Sequence, residues 1–380
     1  MQSTLSLHDY DLTLRDINAI CRDTLNRDSV DFDADFFALG ADSLSLVEIQ
    51  LLIEDKWGIA IDWRDILRCR SVSSLTYFLC AQSFQDAAAH KQATLNGVTF
   101  CYRIIGSLAT RKIPKLIIGG GFQDMYSLPH LESLLVGDGP LIFVDVPGTG
   151  LADDIPEDAA FDFLAACIHK ILEVEALTQI DLIGISYGGL IALEFSYQWP
   201  QQIAHMILIG VAESHPPAIR KRLDHALTLL QSGAKAQAVI EIVESLMCMD
   251  KEKEVHLRDD LYTLLQTALL SHADTQQARF AALRKRMTER QPRTEPVRLN
   301  APTLFVTGEH DTITLPADIA ACAALFETAA LFMIAEADHL VFIERPKELA
   351  EVIIRFVAGA DLPDAPYLKK FHLLDESALA

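Results

Sequence analysis

The chain has 380 residues, of which 50% are hydrophobic and 22% are charged, a composition that supplies large apolar cores and excludes a disordered protein. Because its length exceeds that of one typical domain, we expect two domains. With 53 acids against 32 bases, its formal net charge of −21 argues against nucleic acid or an anionic membrane as the main partner.

The first predicted elements are helices, and they occupy residues 10 to 82. Apolar residues recur at helical spacing in LTLRDINAICRDTL and in SLSLVEIQLLIEDKW, and the long acidic loop NRDSVDFDADFFALGAD separates these two stretches. DWRDILRC and SVSSLTYFLCAQ supply a short third helix and a last helix, the latter with a serine cap. The segment lacks strand alternation, so we predict a four-helix bundle over residues 1–82.

A lone serine, Ser43, stands at the first turn of the second helix, in the stretch GADSL. Asp and Ser are common helix caps, so a purely capping serine is one interpretation. Gly40 and Asp42 are expected to shape an exposed turn in front of Ser43. The residues that we expect to anchor the helix beneath it are Leu44, Val47 and Leu51.

A second kind of pattern follows a predicted linker, SFQDAAAHKQATLN at residues 83–96, which has little apolar periodicity. From residue 97 to 358, helical stretches alternate with apolar runs, namely KLIIGG, PLIFVDVPG, IDLIGIS, AHMILIGV, APTLFVTG and ALFMIAEA. This alternation predicts a mostly parallel sheet with helices on both faces. Residues 212–297, approximately, have only helical patterns and are predicted to form a lid. Residues 359–380 are expected to form a peripheral tail.

One candidate nucleophile is Ser186, at the centre of the motif Gly-Ile-Ser-Tyr-Gly. An apolar strand run ends at this serine and a helical run begins at once, as in the sharp strand-to-helix turn that exposes a nucleophilic hydroxyl. The two glycines are required because side chains would clash in so tight a turn. The helix N-terminus behind Ser186 also favours negative charge that develops on a substrate.

A serine hydroxyl needs a base, and the base needs an acid that orients it. Asp311 follows the strand run TLFVTG, and His339 follows the strand run LFMIAEAD, so both are expected at the sheet edge that carries Ser186. Glu213, after ILIGVA, is an alternative acid, and His310 is a competing histidine. Seven further histidines are expected to be surface or core residues, namely His130, His169, His205, His215, His225, His256 and His272.

An oxyanion formed at Ser186 needs two backbone N–H donors. The N–H of Tyr187, the residue after the nucleophile, is the first candidate. The second is Phe122, or else Gly121, in the loop IIGGGFQDM, whose three glycines let the backbone approach a ligand. A structural glycine-rich turn is the alternative interpretation of that loop.

Two family resemblances follow from these motifs. Residues 97–358 resemble an α/β-hydrolase, with GGGF, DVPGTG, GISYGG, GEHD and ADHLVFIERP in the family's order. The segment departs from the family in having GG where HG is common. Its expected acid also follows a later strand than in the thioesterases of nonribosomal peptide assembly lines. The stretch FFALGADSLSLVEIQLLIEDKWGIAID resembles an acyl/peptidyl carrier domain of polyketide and nonribosomal peptide systems.

The second resemblance implies that Ser43 bears a 4′-phosphopantetheine arm on its Oγ. Together the two resemblances imply a carrier–thioesterase didomain, in which Ser186, His339 and Asp311 release an acyl group from the arm. One alternative is a hydrolase or acyltransferase acting on an ester or amide of a tethered substrate; another is a carrier with a non-catalytic docking scaffold. The implied partners are a phosphopantetheinyl transferase, acyl-loading or condensing enzymes in trans, and an acyl substrate.

The cellular setting is predicted from the seven cysteines and from the N-terminus. The cysteines are scattered and form no CxxC pair, which is typical of free thiols in a reducing cytoplasm and suggests neither disulfides nor a zinc site. The start MQSTLSLHDYDLTLRD lacks the basic and apolar segments of a signal peptide, and no apolar run is long enough to cross a bilayer. We therefore expect a soluble, cytoplasmic protein with no bound metal.

Overall fold

The structure is a computed structural model that describes residues 10–85, 90–155 and 159–371. The chain divides into two compact units, one built from helices and one built around a single sheet. Within the described residues, no helix combines the length and the apolar character needed to cross a bilayer.

The first unit is a helical bundle whose four N-terminal helices agree with the predicted ones. The second helix begins and ends at the predicted residues, between a capping aspartate and a glycine with φ 67°. A fifth helix, which comes from later in the chain, also belongs to this unit. The helices are α1 (Tyr10–Thr24), α2 (Ser43–Trp57), α3 (Trp63–Cys69), α4 (Val72–Gln85) and α5 (Pro129–Leu135).

The buried face of α2 is not the predicted one. Leu44 is 75% exposed and Leu51 57% exposed, and Val47 is also exposed, so these residues do not anchor the helix. The residues that pack into the bundle lie one helical face away and are Leu46, Ile49, Ile53 and Trp57. Their spacing of three and four residues is that of a single helical stripe. The prediction was wrong because nearly every face of α2 carries leucine, isoleucine or valine.

The loop before α2 is held by a buried cation. Arg70 is almost fully buried and forms an ion pair with Asp35, to whose carboxylate its Nε also donates at 2.9 Å. The carbonyl of Arg70 accepts the N–H of Phe36 at 2.8 Å, and the Phe36 side chain is fully buried. At the end of the loop, Asp42 accepts the N–H of Ser45 at 2.8 Å and caps α2. These bonds fix the backbone that leads into Ser43.

The second unit is built around a nine-stranded sheet with the order β1-β2-β4-β3-β5-β6-β7-β8-β9. The central strands from β4 to β8 are mutually parallel, and β1, β2 and β9 pair in antiparallel fashion towards the edges. The strands are β1 (Lys91–Leu95), β2 (Val98–Ile105), β3 (Lys115–Ile118), β4 (Leu141–Asp145), β5 (Ile180–Ile185), β6 (Ile203–Ile209), β7 (Thr303–Gly308), β8 (Ala329–Ile334) and β9 (Leu368–Phe371).

Helices follow most of the parallel strands and contribute to a core on the sheet. Strands β3, β4, β5 and β7 are buried along their whole length, as expected for strands covered on both faces. The carboxyl ends of the parallel strands lie at one edge, where the predicted site residues meet. The helices that accompany the sheet are α6 (Phe161–Val174), α7 (Tyr187–Gln198), α11 (Pro316–Ala323), α12 (Val341–Glu344) and α13 (Pro346–Val357).

Two predicted boundaries differ from the structure. Strand β1 occupies residues 91–95 of the predicted linker, and α4 runs to Gln85; residues 86–89 of the linker lie outside the described residues. Asn96 and Gly97 both have positive φ and join β1 to β2 as a tight hairpin, whose Asn-Gly sequence was the available signal. In the predicted tail, β9 pairs with β8, and residues 372–380 are not described.

The predicted lid is a set of three helices inserted between β6 and β7, namely α8 (Pro217–Gln231), α9 (Lys235–Leu246) and α10 (Arg258–Glu289). These helices share a small apolar cluster of their own that includes Ala226, Ile242 and Phe280. Leu283 and Met287 of α10 instead pack against the main core of the sheet. Helix α10 therefore ties the inserted helices to the edge of the sheet.

Candidate active site

Ser186 lies at the sharp turn between β5 and α7. Its φ of 49° and ψ of −114° are unusual for a residue with a side chain and match the strained turn expected of a nucleophilic serine. The turn is possible because Gly188 carries no side chain: a Cβ there would overlap the backbone carbonyls of Ile118 and Gly119. The hydroxyl is thereby held at the carboxyl edge of the sheet, at the N-terminus of α7.

The structure brings Ser186, His339 and Asp311 together. The Ser186 Oγ lies 2.9 Å from Nε2 of His339, and Nδ1 of the same ring lies 2.9 Å from Oδ2 of Asp311. Since a carboxylate only accepts, Nδ1 carries a proton and Nε2 is free to accept the hydroxyl proton of Ser186. Gly210 makes room for the ring, because a Cβ there would lie 3.0 Å from Cε1 of His339.

Asp311 is fully buried and held by four further donors, none of which is marked by a sequence motif. Its Oδ1 accepts the N–H groups of Ile313 (2.9 Å) and Thr314 (2.8 Å), and its Oδ2 accepts the hydroxyls of Thr307 (2.9 Å) and Thr314 (2.6 Å). Burial alone would raise the pKa of Asp311, but His339 and Thr314 hold that pKa below its ordinary value. The carboxylate therefore remains charged beside the imidazole.

The interaction between Asp311 and His339 also changes the pKa of the histidine, in the opposite direction. Burial by itself would lower the pKa of His339, but the carboxylate of Asp311 raises that pKa above the ordinary histidine value. The adjacent Asp338, also buried, adds to the increase. The imidazole is thus a stronger base than free histidine, as proton removal from a hydroxyl requires.

The alternative acid, Glu213, faces other groups. It forms an ion pair with Arg290, in which both side chains are 8% exposed, and it accepts from the hydroxyl of Tyr197 at 3.1 Å. It also accepts the backbone N–H of Arg293 at 3.0 Å. These contacts link the residue before the inserted helices to the residues that follow them. Glu213 is therefore paired with these groups, whereas Asp311 is the carboxylate that contacts His339.

The glycine loop after β3 approaches the nucleophile. A Cβ on Gly120 would lie 3.7 Å from Cβ of Ser186, and the Gly120 N–H donates to the Gln123 side chain at 2.6 Å, which shapes the loop. Leu283 of α10 covers Gly121, and Phe122 stacks on Phe280 of the same helix with ring centroids 5.7 Å apart. The proposed oxyanion donors, Tyr187 and Phe122, belong to the two segments that flank Ser186.

A narrow pocket with a cavity volume of ≈ 60 Å³ begins at Ser186. Its walls are mainly apolar side chains of α8 and α10 together with Phe122. His215, predicted to be a surface or core residue, also lines it. Desolvation, reinforced by the nearby His339, lowers the pKa of His215 to about 4, so its ring is neutral at physiological pH.

In the first unit, Ser43 is the first residue of α2, and the structure does not describe its side chain. Its neighbours Asp42 and Leu44 are exposed, so the turn lies at the surface of the bundle. An exposed helix start with a rigid cap suits a serine that must be reached by a modifying enzyme. The site therefore fits a phosphopantetheine attachment.

Comparisons with known proteins agree with both halves of this description. The alpha/beta hydrolase family model matches residues 116–352, and the phosphopantetheine attachment site model matches residues 15–79. The chain is 26% identical over 259 residues to pimeloyl-[acyl-carrier protein] methyl ester esterase of Stenotrophomonas maltophilia, covering 66% of this chain and 94% of the esterase. It is 27% identical over 222 residues to the protein so named in Aeromonas hydrophila, covering 56% of this chain and 83% of that protein.

Solved structures support the fold. An alpha/beta hydrolase from a Medee basin deep-sea metagenome library aligns with a TM-score of 0.61 at 20% identity, covering 73% of this chain and 100% of that one. A thermophilic esterase from Thermogutta terrifontis aligns with a TM-score of 0.60 at 22% identity, covering 72% of this chain and 99% of that one. At identities of 20% and 22%, these structural alignments establish the fold of the sheet unit alone.

Proposed function

The chain belongs to the alpha/beta hydrolase family and carries a phosphopantetheine attachment domain, and we propose that it hydrolyses acyl groups borne on that domain. The single observation that supports this most is the chain of 2.9 Å contacts from Ser186 through His339 to Asp311, at the mouth of an apolar pocket. A carrier in the same chain makes the encounter intramolecular, at an effective concentration on the order of millimolar.

The chemistry starts with a proton transfer. His339 Nε2 removes the hydroxyl proton of Ser186 as Oγ attacks the acyl carbonyl, and Asp311 stabilises the imidazolium that forms. The oxyanion is held by the N–H groups of Tyr187 and Phe122, at the N-terminus of α7. Collapse transfers the proton from His339 to the leaving thiol or alcohol, and water then hydrolyses the acyl-enzyme by the same steps in reverse.

On the carrier side we propose Ser43 as the modified residue. A 4′-phosphopantetheine arm, when bound, supplies a thioester as the activated acyl group. Asp42 and Ser45 form a reciprocal capping box in front of it, which keeps the helix start rigid without occupying Ser43 itself. Modification requires a phosphopantetheinyl transferase, and acylation requires loading or condensing enzymes of a polyketide or nonribosomal peptide type of pathway, supplied in trans.

The test is acyl release followed by intact-protein mass spectrometry. The chain is phosphopantetheinylated, loaded with an acyl group, and compared with Ser186→Ala and with Ser43→Ala. We expect the wild type to lose its acyl mass much faster than Ser186→Ala, and Ser43→Ala to accept no arm. Equal rates of acyl loss in the wild type and Ser186→Ala would contradict the proposal.

A second candidate reaction is cleavage of an ester within the tethered acyl group, which leaves the group on its arm. The similarity to two proteins called pimeloyl-[acyl-carrier protein] methyl ester esterase favours it. The same mass spectra separate the two reactions. Loss of the whole acyl mass indicates release, whereas loss of a small alcohol with the remaining mass retained indicates ester cleavage. A non-catalytic scaffold would give neither, and Ser186 would not react with a fluorophosphonate probe.

A further inference from the structure

The pocket beside Ser186 has a charged wall that the proposed hydrolysis does not use. Its described lining contains Arg220 and Arg284, two cations, and no acidic residue. The remaining wall is apolar apart from Ser186 and Tyr187 at the active-site end and His215, whose low pKa keeps it neutral. An unbranched alkyl chain would gain nothing from two guanidinium groups in this position.

Arg284 interrupts an apolar stripe on α10. Phe280, Leu283 and Met287 line the pocket at spacings of three and four residues, and Arg284 lies on the same helical face. Only 3% of Arg284 is exposed. Burying an arginine in a wall of this kind is unfavourable unless its donors are matched by acceptors.

The donors of Arg284 are matched incompletely. Its two terminal nitrogens reach Thr288, the Arg220 carbonyl (3.1 Å) and Asp224 (2.8 Å), and Asp224 itself is 61% exposed. Its Nε is buried and has no hydrogen-bond partner among the described residues. Three other arginines have a buried nitrogen in the same condition within the described residues, so the Nε of Arg284 points to a ligand only together with the second cation in this wall.

Arg220 supplies a second, accessible cation. It lies on α8 at the exposed side of the pocket, and its guanidinium forms no ion pair within the part of the chain that the structure describes. The charges that act on Arg284 are those of Asp224, which faces solvent, and of Arg220. The local excess of positive charge favours an anionic ligand over a neutral carbonyl.

We propose that Arg284 and Arg220 bind a carboxylate at the far end of the acyl group whose carbonyl is attacked by Ser186. The preferred substrate is then an ω-carboxyacyl chain, with methylenes against Phe280, Leu283 and Met287. This inference rests on the proposed function for the reacting end of the chain and adds the chemistry of the other end. Because the Nε of Arg284 is buried, binding requires α10 to shift enough to admit the carboxylate.

The test compares matched pairs of N-acetylcysteamine thioesters, which lack the phosphate of the natural arm. Glutaryl, adipoyl and suberoyl substrates are paired with valeryl, hexanoyl and octanoyl substrates of equal chain length. At the best chain length we expect the wild type to favour the carboxylate by about 10- to 100-fold in kcat/KM, the range expected for hydrogen bonds to charged groups. Arg284→Met should abolish the preference, and Arg220→Met should reduce it.

The control for damage to the inserted helices is Arg279→Met. Arg279 also lies on α10 but bonds Asp154 and the carbonyls of Gly150 and Ala152, away from the pocket. This variant should keep the preference for the carboxylate. If Arg284→Met fails to fold, Arg220→Met, at an exposed position, decides the question alone.

Binding separates this inference from the proposed function. Ser186→Ala is titrated with S-adipoyl and S-hexanoyl N-acetylcysteamine by calorimetry, which needs no turnover, and the titration is repeated with Arg284→Met added. Tighter binding of the adipoyl compound that Arg284→Met removes supports the carboxylate site even if no thioester is hydrolysed. Hydrolysis with no carboxylate preference at any chain length overturns this inference and leaves the proposed function intact.

Discussion

Replacement of the buried carboxylate, Asp311→Asn, tests the assignment of the acid most directly. The Oδ1 atom of Asp311 accepts two backbone N–H groups, whereas Oδ2 faces Nδ1 of His339 and two hydroxyls. An asparagine has only one oxygen for these two sides. If its oxygen stays on the backbone N–H groups, its amide donates towards Nδ1, which must then become an acceptor.

The structure indicates which orientation of the asparagine amide is more stable. Turning the amide so that its oxygen faces His339 would break two backbone hydrogen bonds at about 1 kcal/mol each, or about 2 kcal/mol in all, which disfavours that state by roughly 30-fold. The His339 ring therefore adopts the tautomer with its proton on Nε2, which cannot accept from Ser186. We expect kcat to fall by about 10⁴-fold, the magnitude known for a serine protease with the same change.

The assay is hydrolysis of an acyl N-acetylcysteamine thioester as a function of pH. Asp311 raises the pKa of His339, so the variant should also have an acid limb at lower pH, with the loss of rate persisting on the plateau. The matched control is Glu213→Gln, which weakens the pairing with Arg290 and should lower stability while leaving kcat within about ten-fold of the wild type. A variant at Asp311 that is as active as the wild type, or a larger loss in Glu213→Gln, would refute the assignment.

Three further predictions concern the bundle, the nucleophile turn and the pH profile. Leu46→Ala should lower the unfolding free energy of the bundle by about 2–5 kcal/mol in urea denaturation, and the exposed Leu51→Ala by less than about 0.5 kcal/mol; similar losses would contradict the buried face. Gly188→Ala should abolish labelling of Ser186 by a fluorophosphonate, since the added methyl overlaps the carbonyls of Ile118 and Gly119; normal labelling would count against the turn. In the wild type, kcat/KM should rise with pH through a His339 pKa above the ordinary value, because only the neutral ring accepts a proton. His215, with a pKa of about 4, should add no step near neutrality. An acid limb below the ordinary histidine pKa would contradict this prediction.

The bounds of α2 could be predicted from the sequence, but its buried face could not. A capping aspartate before the helix and a glycine after it mark the ends locally, so Asp42 and Gly58 suffice. The buried face depends on which side the other helices cover. In SLSLVEIQLLIEDKW almost any face offers three apolar residues, so periodicity alone gives no unique answer. The strand β1 could not be predicted because its sequence has too few apolar residues, and only Ala93 is buried.

The candidate site shows a similar division. Ser186, Asp311 and His339 each follow a strand run, and parallel strands bring their carboxyl ends to one edge whatever the details of packing. Thr307 and Thr314 could be found only from the structure, because their role depends on hydroxyl directions rather than on sequence position. His215 lies in the loop before α8, and its place in the pocket depends on how the inserted helices pack.

Arg284 illustrates what tertiary structure adds to a helical pattern. In the sequence it is one of several arginines in LRKRMTER and is indistinguishable from a solvated charge. Only the packing of Leu283 and Met287 on the main core, and of Phe280 within the cluster of the inserted helices, turns that face of α10 inwards and places Arg284 in the pocket wall. A charge retained at such a position costs stability that leucine would not, so its presence is more readily explained by a ligand than by folding. Because Asp224, the partner left behind, faces solvent, Arg284→Met should cost little stability in urea denaturation while it removes discrimination between acyl chains.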